Sequence, residues 1–380
     1  MKISVAQPPS RSPASRKPIG LALQGGGSWG AFTWGVLDSL LASRSLTVAQ
    51  LSGTSAGAIN AAIVASALAK GSAAQARAAL RSFWLSIARP ALHDIGRELW
   101  GPVERSWRET MAAWLMSTGA LSPYNTNPLG HNPLREAITA HVDIEAIRSK
   151  SAPALFVTVT NVKTGLPRVI ANDEMTIDAL LASACLPQLF QAVEIDGEPY
   201  WDGGYAGNPT LWPMIHSGVV HDLIVVQLVP DTTDEVPTNA PAIRQRVGEI
   251  VFNSSLVAEM QAIAAMRSVA ARGDTASSVL DLRLHRIGPP PRELLEQESS
   301  MERSLAWLQR LHREGRSAAK RFVARHGADV GVRETLDIAS VFADEHKPKM
   351  RVFANEAAYD RAQGQLDAHD PLQSAFQPRG

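Results

Sequence analysis

Two consecutive stretches of the chain share one pattern: a short apolar run, a glycine-rich turn, and an apolar segment with helical spacing. Residues 19–23 (I-G-L-A-L) are the first run, which leads through Q-G-G-G-S-W-G into a helical stripe of Phe32, Val36, Leu37, Leu40 and Leu41. The second run ends at Leu51, and a Gly-Thr-Ser-Ala-Gly turn opens a helix that reaches Gly71. Two such units predict a largely parallel sheet that binds ligands at the carboxyl ends of its strands.

The remaining pattern predicts further strands and helices on both sides of a polar linker at residues 231–240. We expect helical structure over 73–116 and 134–147, strands at 155–159, 168–170 and 223–228, a hairpin in 193–205, and loop at 123–133. Beyond the linker we expect a helix over 241–271, a strand over 279–287 and a charged helix over 291–326. An apolar stripe within 73–116 (Trp100, Val103, Trp107, Met111 and Trp114) indicates packing on the sheet or, alternatively, a lid or lipid-facing surface.

The domain organisation follows from these changes in pattern. Residues 1–18 predict a disordered basic arm, 19–230 an α/β domain, 231–345 a mainly helical extension packed on that domain, and 346–380 a polar tail. The run over 45–69 is uncharged, but polar residues interrupt it, so we expect a buried strand and helix rather than a membrane span.

Composition narrows the classes of function. Lys plus Arg and Asp plus Glu both number 37 among 380 residues, so no overall field favours nucleic acid as a partner. The single cysteine, Cys185, excludes an internal disulfide and fits a reducing compartment. The first residues lack an apolar core and do not resemble a secretory signal, so we expect a cytoplasmic protein with optional peripheral membrane contact. The sequence does not indicate an oligomeric state.

Ser55 lies at the centre of the second turn, in the strand–turn–helix setting that a nucleophilic serine requires. Gly53 and Gly57 permit the sharp backbone and a close approach of helix to strand. Helix N-terminal amides beside the serine favour developing negative charge. The alternative is that Ser55 serves only as a helix N-cap.

The first turn matches the spacing of a dinucleotide-binding fingerprint through Gly25, Gly27 and Gly30. That interpretation requires an acidic residue about twenty positions later, and none occurs between Asp38 and Asp94. No Lys-Ser/Thr pair follows the glycines, which excludes a P-loop. Consecutive glycine amides can instead converge on an oxyanion, and a tight turn without chemistry is the remaining alternative.

A serine nucleophile needs a proton acceptor within reach. Among the ten histidines, His216 and His221 are the best of a weak set. The better candidate is Asp202 in Trp-Asp-Gly-Gly, because Gly203 and Gly204 leave the carboxylate accessible on a tight turn. A turn-capping role for Asp202 is the alternative.

Three ordered motifs resemble those of the patatin-like phospholipase family: Gly-Gly-Gly-x-x-Gly at 25–30, Gly-Thr-Ser-Ala-Gly at 53–57 and Asp-Gly-Gly at 202–204. The segment at 182–197 is also similar, and the resemblance covers about 19–230. It implies a three-layer α/β/α fold and a Ser–Asp dyad without histidine. In that dyad Ser55 would be the nucleophile and Asp202 the base, with the amides of Gly25, Gly26 and Gly27 as the oxyanion hole. Gly30, Gly53, Gly57, Gly203 and Gly204 would support the motifs.

Trp29 is the one departure, since many members of that family carry Arg or Lys just before the last glycine of the first motif. This removes a cation that could hold a headgroup but leaves the dyad unchanged. We therefore expect a lipid acyl hydrolase (phospholipase A, lysophospholipase or esterase) that works through an acyl-enzyme, without metal or cofactor. The alternatives are a Ser-His-Asp carboxylesterase, an intracellular polyester depolymerase and a non-enzymatic lipid-binding protein.

Overall fold

The structure is a computed structural model that describes residues 16–88, 122–270, 279 and 281–342. Its strands are β1 (Lys17–Leu23), β2 (Leu46–Gly53), β3 (Ala154–Asn161), β4 (Pro167–Ile170), β5 (Val193–Ile195), β6 (Glu198–Asp202), β7 (Asp222–Val226) and β8 (Arg283–Ile287). The predicted stripe at 100–114 and most of the predicted arm and tail lie outside the described residues.

The described residues also form twelve helices. They are α1 (Gly30–Leu41), α2 (Ala56–Lys70), α3 (Ala73–Ser86), α4 (Pro123–Thr126), α5 (Leu134–His141), α6 (Ile144–Arg148), α7 (Ile177–Ser183), α8 (Trp212–Ser217), α9 (Ala240–Ala270), α10 (Arg292–Leu295), α11 (Leu305–His326) and α12 (Ile338–Phe342). Short 3₁₀ turns occur at Gly27–Trp29 and Gly203–Tyr205.

The described strands form one sheet in the order β5-β6-β3-β2-β1-β7-β8, with β4 pairing with β3. Strands β1, β2, β3, β7 and β8 run parallel, while β4 and β6 are antiparallel to β3. The predicted α/β fold with a mostly parallel sheet is confirmed. Because β1 and β2 are adjacent and parallel, the two glycine turns that follow them meet at the same edge of the sheet.

Both faces of the sheet are covered. Ile19, Leu21 and Leu23 of β1 belong to the large apolar core shared with α1 and α2. On the opposite face a Cβ at Gly20 would lie 2.7 Å from Met214 of α8, and Gln50 of β2 donates to the Met214 carbonyl. This alternation along β1 gives the layered arrangement that the family resemblance implied.

Helix α1 is buried on nearly all sides because it lies between the sheet and α11. The two helices approach closely at two glycines: a Cβ at Gly35 would lie 2.0 Å from the His312 carbonyl oxygen, and one at Gly315 would lie 2.0 Å from that of Phe32. Since real Cβ atoms do not approach an oxygen so closely, these glycines set the distance between the helices.

We expect Gly315→Ala to lower the free energy of unfolding by about 2–3 kcal/mol, because the added methyl forces α11 away from α1. A matched control is Gly248→Ala in α9, where no described atom would lie within 4 Å of the new Cβ. That change should raise stability by roughly 0.5–1 kcal/mol through helix propensity. Urea unfolding of both variants measures the difference, and equal stability for Gly315→Ala and wild type would contradict the close crossing.

Several predicted elements differ from the structure in their bounds. The helix predicted over 134–147 is two helices, because Asp143 accepts the Ala146 amide and starts α6 separately. The helix predicted over 291–326 is also two, with residues 296–304 forming a connection between α10 and α11. The expected loop at 123–133 contains the short helix α4, which starts at Pro123 with a capping box from Ser122.

Residues 231–345 contribute a strand as well as helices. Strand β8 pairs in parallel with β7 along its full length, from Asp222 opposite Arg283 to Val226 opposite Ile287.

By its internal contacts the chain divides into residues 1–338 and 339–380. Within the described ranges, every helix is too short or too polar to cross a membrane.

Candidate active site

Ser55 occupies a strained turn between β2 and α2. Its φ of 54° and ψ of −126° place it in the left-handed half of backbone space, where a residue with a Cβ is held at a cost of about 1–3 kcal/mol. Although Ser55 holds the N-cap position of α2, its side chain makes no capping hydrogen bond. The alternative role as a helix cap therefore does not account for this serine, and its hydroxyl is free for other contacts.

The backbone of Ser55 is held by a second serine. The Ser55 N–H donates to Ser183 Oγ at 2.9 Å, and the Ser183 hydroxyl donates to the Thr158 carbonyl of β3 at 2.8 Å. Both bonds are buried, so α7 and β3 together fix the turn. Ser183 is not among the residues predicted from the sequence, although it lies in the 182–197 segment that carries part of the family resemblance.

The glycines of the Gly-Thr-Ser-Ala-Gly turn permit close backbone contacts. A Cβ at Gly57 would lie 2.1 Å from the Leu23 carbonyl oxygen, and one at Gly53 would lie 2.6 Å from the Gly57 carbonyl carbon. Gly30 packs in the same way, since a Cβ there would lie 2.7 Å from the Ala56 Cβ. The helix that follows Ser55 can therefore approach β1 and the glycine turn more closely than side chains would allow.

Asp202 ends β6 and is fully buried. Its Oδ1 accepts the Gly204 N–H at 2.7 Å, whereas Oδ2 has no hydrogen-bond partner in the described part of the chain. The following glycines are tightly enclosed, since a Cβ at Gly203 would lie 2.1 Å from the Thr158 oxygen and one at Gly204 would lie 2.4 Å from the Phe252 ring. One carboxylate oxygen thus caps the turn, as the alternative interpretation expected, and the other remains able to accept a proton.

Burial raises the pKa of Asp202 to about 7, against the lowering effects of the Gly204 amide and the Ser55 hydroxyl. The hydroxyl is near enough to affect the carboxyl, yet no hydrogen bond of normal geometry joins the two side chains. Such contacts commonly tighten only when substrate is bound. A carboxyl with a pKa near 7 is suited to take up and release a proton under neutral conditions.

The backbone N–H groups of the glycine turn after β1 differ in whether they already have a hydrogen-bond acceptor. The Gly25 N–H donates to Asn208 Oδ1 at 2.7 Å, so this predicted oxyanion donor is already occupied. Among the described residues, the N–H groups of Gly26 and Gly27 have no acceptor, which leaves these two as the available donors. Gly25 has a steric role instead, because a Cβ there would lie 2.7 Å from the Ser55 Cβ.

A buried network of side-chain amides supports this turn. Gln24 Oε1 accepts the N–H groups of Leu228 and Val229, and Gln24 Nε2 donates to Asn253 Oδ1 at 2.8 Å. Asn208 Nδ2 donates to the Phe252 carbonyl of α9. The network joins the end of β1, the segment after Asp202 and α9, and it was not predicted from the sequence. The Asn-Pro pair six residues after Asp202 is the signal that could have indicated it.

The connection between α10 and α11 covers one side of the glycine turn. The Ser28 N–H donates to the Ser300 carbonyl at 2.7 Å, and a Cβ at Gly27 would lie 2.4 Å from the same oxygen. Trp29, which replaces the basic residue common in the family, is buried, and its indole N–H has no acceptor among the described residues. Position 29 therefore contributes packing and no charge.

The two candidate histidines lie far from Ser55. His216 is near the end of α8 and His221 directly precedes β7, so both lie at the amino end of that strand. Ser55 follows the carboxyl end of β2, and β7 and β2 both run parallel to β1. The histidines and Ser55 are consequently at opposite edges of the sheet, which argues against a Ser-His-Asp arrangement built on either residue.

In the described ranges, no group of three or more His, Cys, Asp or Glu side chains could hold a metal ion.

The comparison with protein families agrees with this geometry. The family model for patatin-like phospholipases matches residues 21–215, which include both glycine turns, Ser55 and Asp202. Among solved structures the chain is similar to VipD from Legionella pneumophila, with 15% identity, a TM-score of 0.38, and coverage of 81% of this chain and 67% of that one. Curated proteins give no match. Because the family model spans just over half of the 380 residues, the chain belongs to the patatin-like phospholipase family, a family of lipid acyl hydrolases.

Proposed function

We propose that this protein is a serine acyl hydrolase of lipid esters in which Ser55 is the nucleophile and Asp202 the general base. One observation carries the proposal: a serine on a strained turn, with its hydroxyl free of any cap, lies beside a buried carboxyl with one unpartnered oxygen. Membership of the family supports lipid esters as the substrate class. The preferred substrates are phospholipids or lysophospholipids.

In the acylation step Ser55 Oγ attacks the ester carbonyl carbon while its proton passes to Asp202 Oδ2. The carbonyl oxygen becomes an oxyanion, which the N–H groups of Gly26 and Gly27 stabilise, and each such donor is worth roughly 3 kcal/mol. The bond from carbon to the leaving alcohol then breaks, and Asp202 returns the proton to the departing oxygen. The products of this step are the free alcohol and an acyl-Ser55 ester.

In the deacylation step a water molecule attacks the acyl carbon and gives one proton to Asp202. The same two amides hold the second oxyanion. The bond to Ser55 Oγ breaks, Asp202 returns the proton to Oγ, and the fatty acid leaves. A base with a pKa near 7 suits both steps, because it must accept and release a proton once in each.

The rest of the site limits how a headgroup is recognised. Since Trp29 is buried and uncharged, a phospholipid phosphate cannot be held by a cation at that position. We therefore expect the ester, rather than the headgroup, to be the feature recognised at the catalytic residues. The enzyme would act in the cytoplasm, with peripheral contact to a membrane when it takes its substrate.

We expect a fluorophosphonate probe to form a covalent adduct on Ser55 in the folded protein, because such probes react with an activated serine oxygen in an oxyanion hole. Peptide mass spectrometry after digestion locates the adduct. Ser55→Ala is the negative control, and the buried Ser183 should stay unlabelled in both proteins. Labelling at another serine, or none in a protein that hydrolyses esters, would contradict the assignment of the nucleophile.

A further inference from the structure

A concave site separate from the catalytic residues lies beside α1. It is a groove of about 830 Å³ between α3 and α11, and the guanidinium groups that line it belong to Arg77, Arg81, Arg313 and Arg316. Asp38 is the one acidic residue among the described residues lining the groove. None of the lining residues belongs to the proposed catalytic site, so the groove is a separate site.

Positive charge is concentrated around this groove although the whole chain is electrically balanced. From Ala73 to Ser86, α3 carries Arg77 and Arg81 and no acidic residue. Helix α11 carries Arg310, Arg313, Arg316, Lys320, Arg321 and Arg325 against the single acid Glu314. Since Lys plus Arg equals Asp plus Glu over the full sequence, this segregation creates a local positive field that attracts anions.

Asp38 neutralises only part of this charge. Its Oδ1 accepts from Arg77 Nε at 2.6 Å, and its Oδ2 lies 3.3 Å from Arg316 Nε. Burial alone would raise the pKa of Asp38, but the nearby His312 ring, the bond from Arg77 and the charge of Arg316 together lower it to about 2, so the carboxylate stays ionised. Arg81 and Arg313 make no ion pair or hydrogen bond within the described part of the chain. Among the described residues, no acceptor competes with an anion for these two guanidinium groups.

The floor of the groove is rigid. The His312 ring lies on Trp34 with 3.9 Å between ring centroids, and Trp34 stacks on Trp84 at 6.4 Å. His312 Nε2 is buried without a hydrogen bond, at 3.6 Å from Asp38 Oδ2. The groove therefore has a packed aromatic floor, and arginine side chains from two helices line it.

We propose that this groove binds a phosphate monoester, presented either by a soluble organophosphate or by an anionic lipid headgroup, with Arg81 and Arg313 as its principal ligands. Guanidinium groups match the geometry of phosphate oxygens with paired hydrogen bonds. Four arginines against one carboxylate leave an excess of positive charge that suits a dianion better than a single carboxylate. The site does not depend on the catalytic residues, so it can be tested apart from the proposed activity.

The test uses one phosphate chemistry in two forms: free glycerol 3-phosphate, measured by calorimetry, and vesicles of phosphatidylcholine with or without phosphatidic acid, measured by co-sedimentation. We expect Arg81→Gln and Arg313→Gln each to weaken binding about tenfold, the value of one charge-assisted hydrogen bond. Arg325→Gln removes the same charge from the same helix outside the groove and should bind as wild type does. Arg81 and Arg313 are both exposed, so we expect both variants to fold normally.

The outcomes separate the two sources of phosphate. Binding of the free ester with the same variant dependence indicates a soluble organophosphate, and binding to phosphatidic acid vesicles alone indicates a lipid headgroup. Equal weakening by Arg325→Gln, or no binding in either form, would overturn the proposal. Ser55→Ala should bind phosphate normally, and the groove variants should hydrolyse a soluble nitrophenyl ester at the wild-type rate, so failure of one proposal is distinguishable from failure of the other.

Discussion

Replacing Asp202 by Asn is expected to lower the rate of ester hydrolysis by about 10³–10⁴-fold, because an amide cannot accept the Ser55 proton. The Asn side chain keeps the oxygen that accepts the Gly204 N–H, so the turn itself should be preserved. Ser55→Ala should lose at least as much activity, since it removes the attacking oxygen. Initial rates with a nitrophenyl ester and with mixed phospholipid vesicles measure both losses.

The same Asp202→Asn change is expected to stabilise the protein above neutral pH. Burial raises the pKa of Asp202 from 3.8 to about 7, so holding the ionised carboxylate in the folded state costs up to about 4 kcal/mol. Because the carboxyl pKa is higher in the folded than in the unfolded protein, the folded protein loses stability as the pH increases from about 4 to 7. An Asn amide avoids this cost but buries an unpaired N–H group, at about 1–3 kcal/mol. We expect a net gain of roughly 1–3 kcal/mol at pH 8 and none at pH 4.

Asp222 provides a matched control, because its pKa is shifted in the opposite direction and its replacement should have the opposite effect on stability. It is a buried carboxylate whose pKa lies far below the usual range because bonds from His285, Arg283 and the Gly331 amide outweigh the effect of burial. Asp222→Asn should therefore destabilise the protein at neutral pH while leaving turnover by the folded fraction unchanged. Urea unfolding at pH 4, 6 and 8 compares both variants with wild type. An Asp202→Asn protein that retains the wild-type hydrolysis rate would exclude Asp202 as the base.

The parts of the fold that were predictable depend on short stretches of sequence. The two strand–turn–helix units, the hairpin before Asp202 and the long helix α9 follow from local periodicity and from glycine placement, and the structure contains each of them. The family of the chain was also predictable, because three motifs in a fixed order carry much more information than one. Which amides of residues 25–27 are free was not predictable, since that depends on a side chain more than 180 positions away.

The missed features are long-range contacts. Ser183 holds the Ser55 amide across a separation of 128 residues, and Ser300 reaches the turn at Ser28 from the connection after α10. Periodicity cannot pair such positions, because it reports the face of an element and not its neighbour. The joining of β8 to the sheet was missed for the same reason. The predicted helices are interrupted where a side chain caps a new helix, as Asp143 does. The local sequence does not distinguish such a cap from a residue inside a continuous helix.

Asn208→Ala is expected to impair both stability and catalysis, because Asn208 links the glycine turn to α9. The change leaves the buried Gly25 N–H without its partner, at a cost of about 1–3 kcal/mol, and removes the side-chain bond to the Phe252 carbonyl of α9. Without its anchor at Gly25, the turn no longer holds the Gly26 and Gly27 amides at a fixed distance from Ser55. If these amides are the oxyanion donors, as we propose, their displacement should lower kcat by about 10²-fold.

A positioning role predicts that kcat falls while KM changes little, since the donors act on the oxyanion and not on the bound ester. Asn172 offers a control of the same residue type, because its side chain accepts the Leu155 N–H and donates to the Ile147 and Pro153 carbonyls at the amino end of β3. Asn172→Ala should lose similar stability but keep kcat per folded molecule. If both variants keep kcat, Asn208 supports the fold alone; if only Asn208→Ala loses it, the amide network beneath Gly25 determines where the oxyanion donors lie.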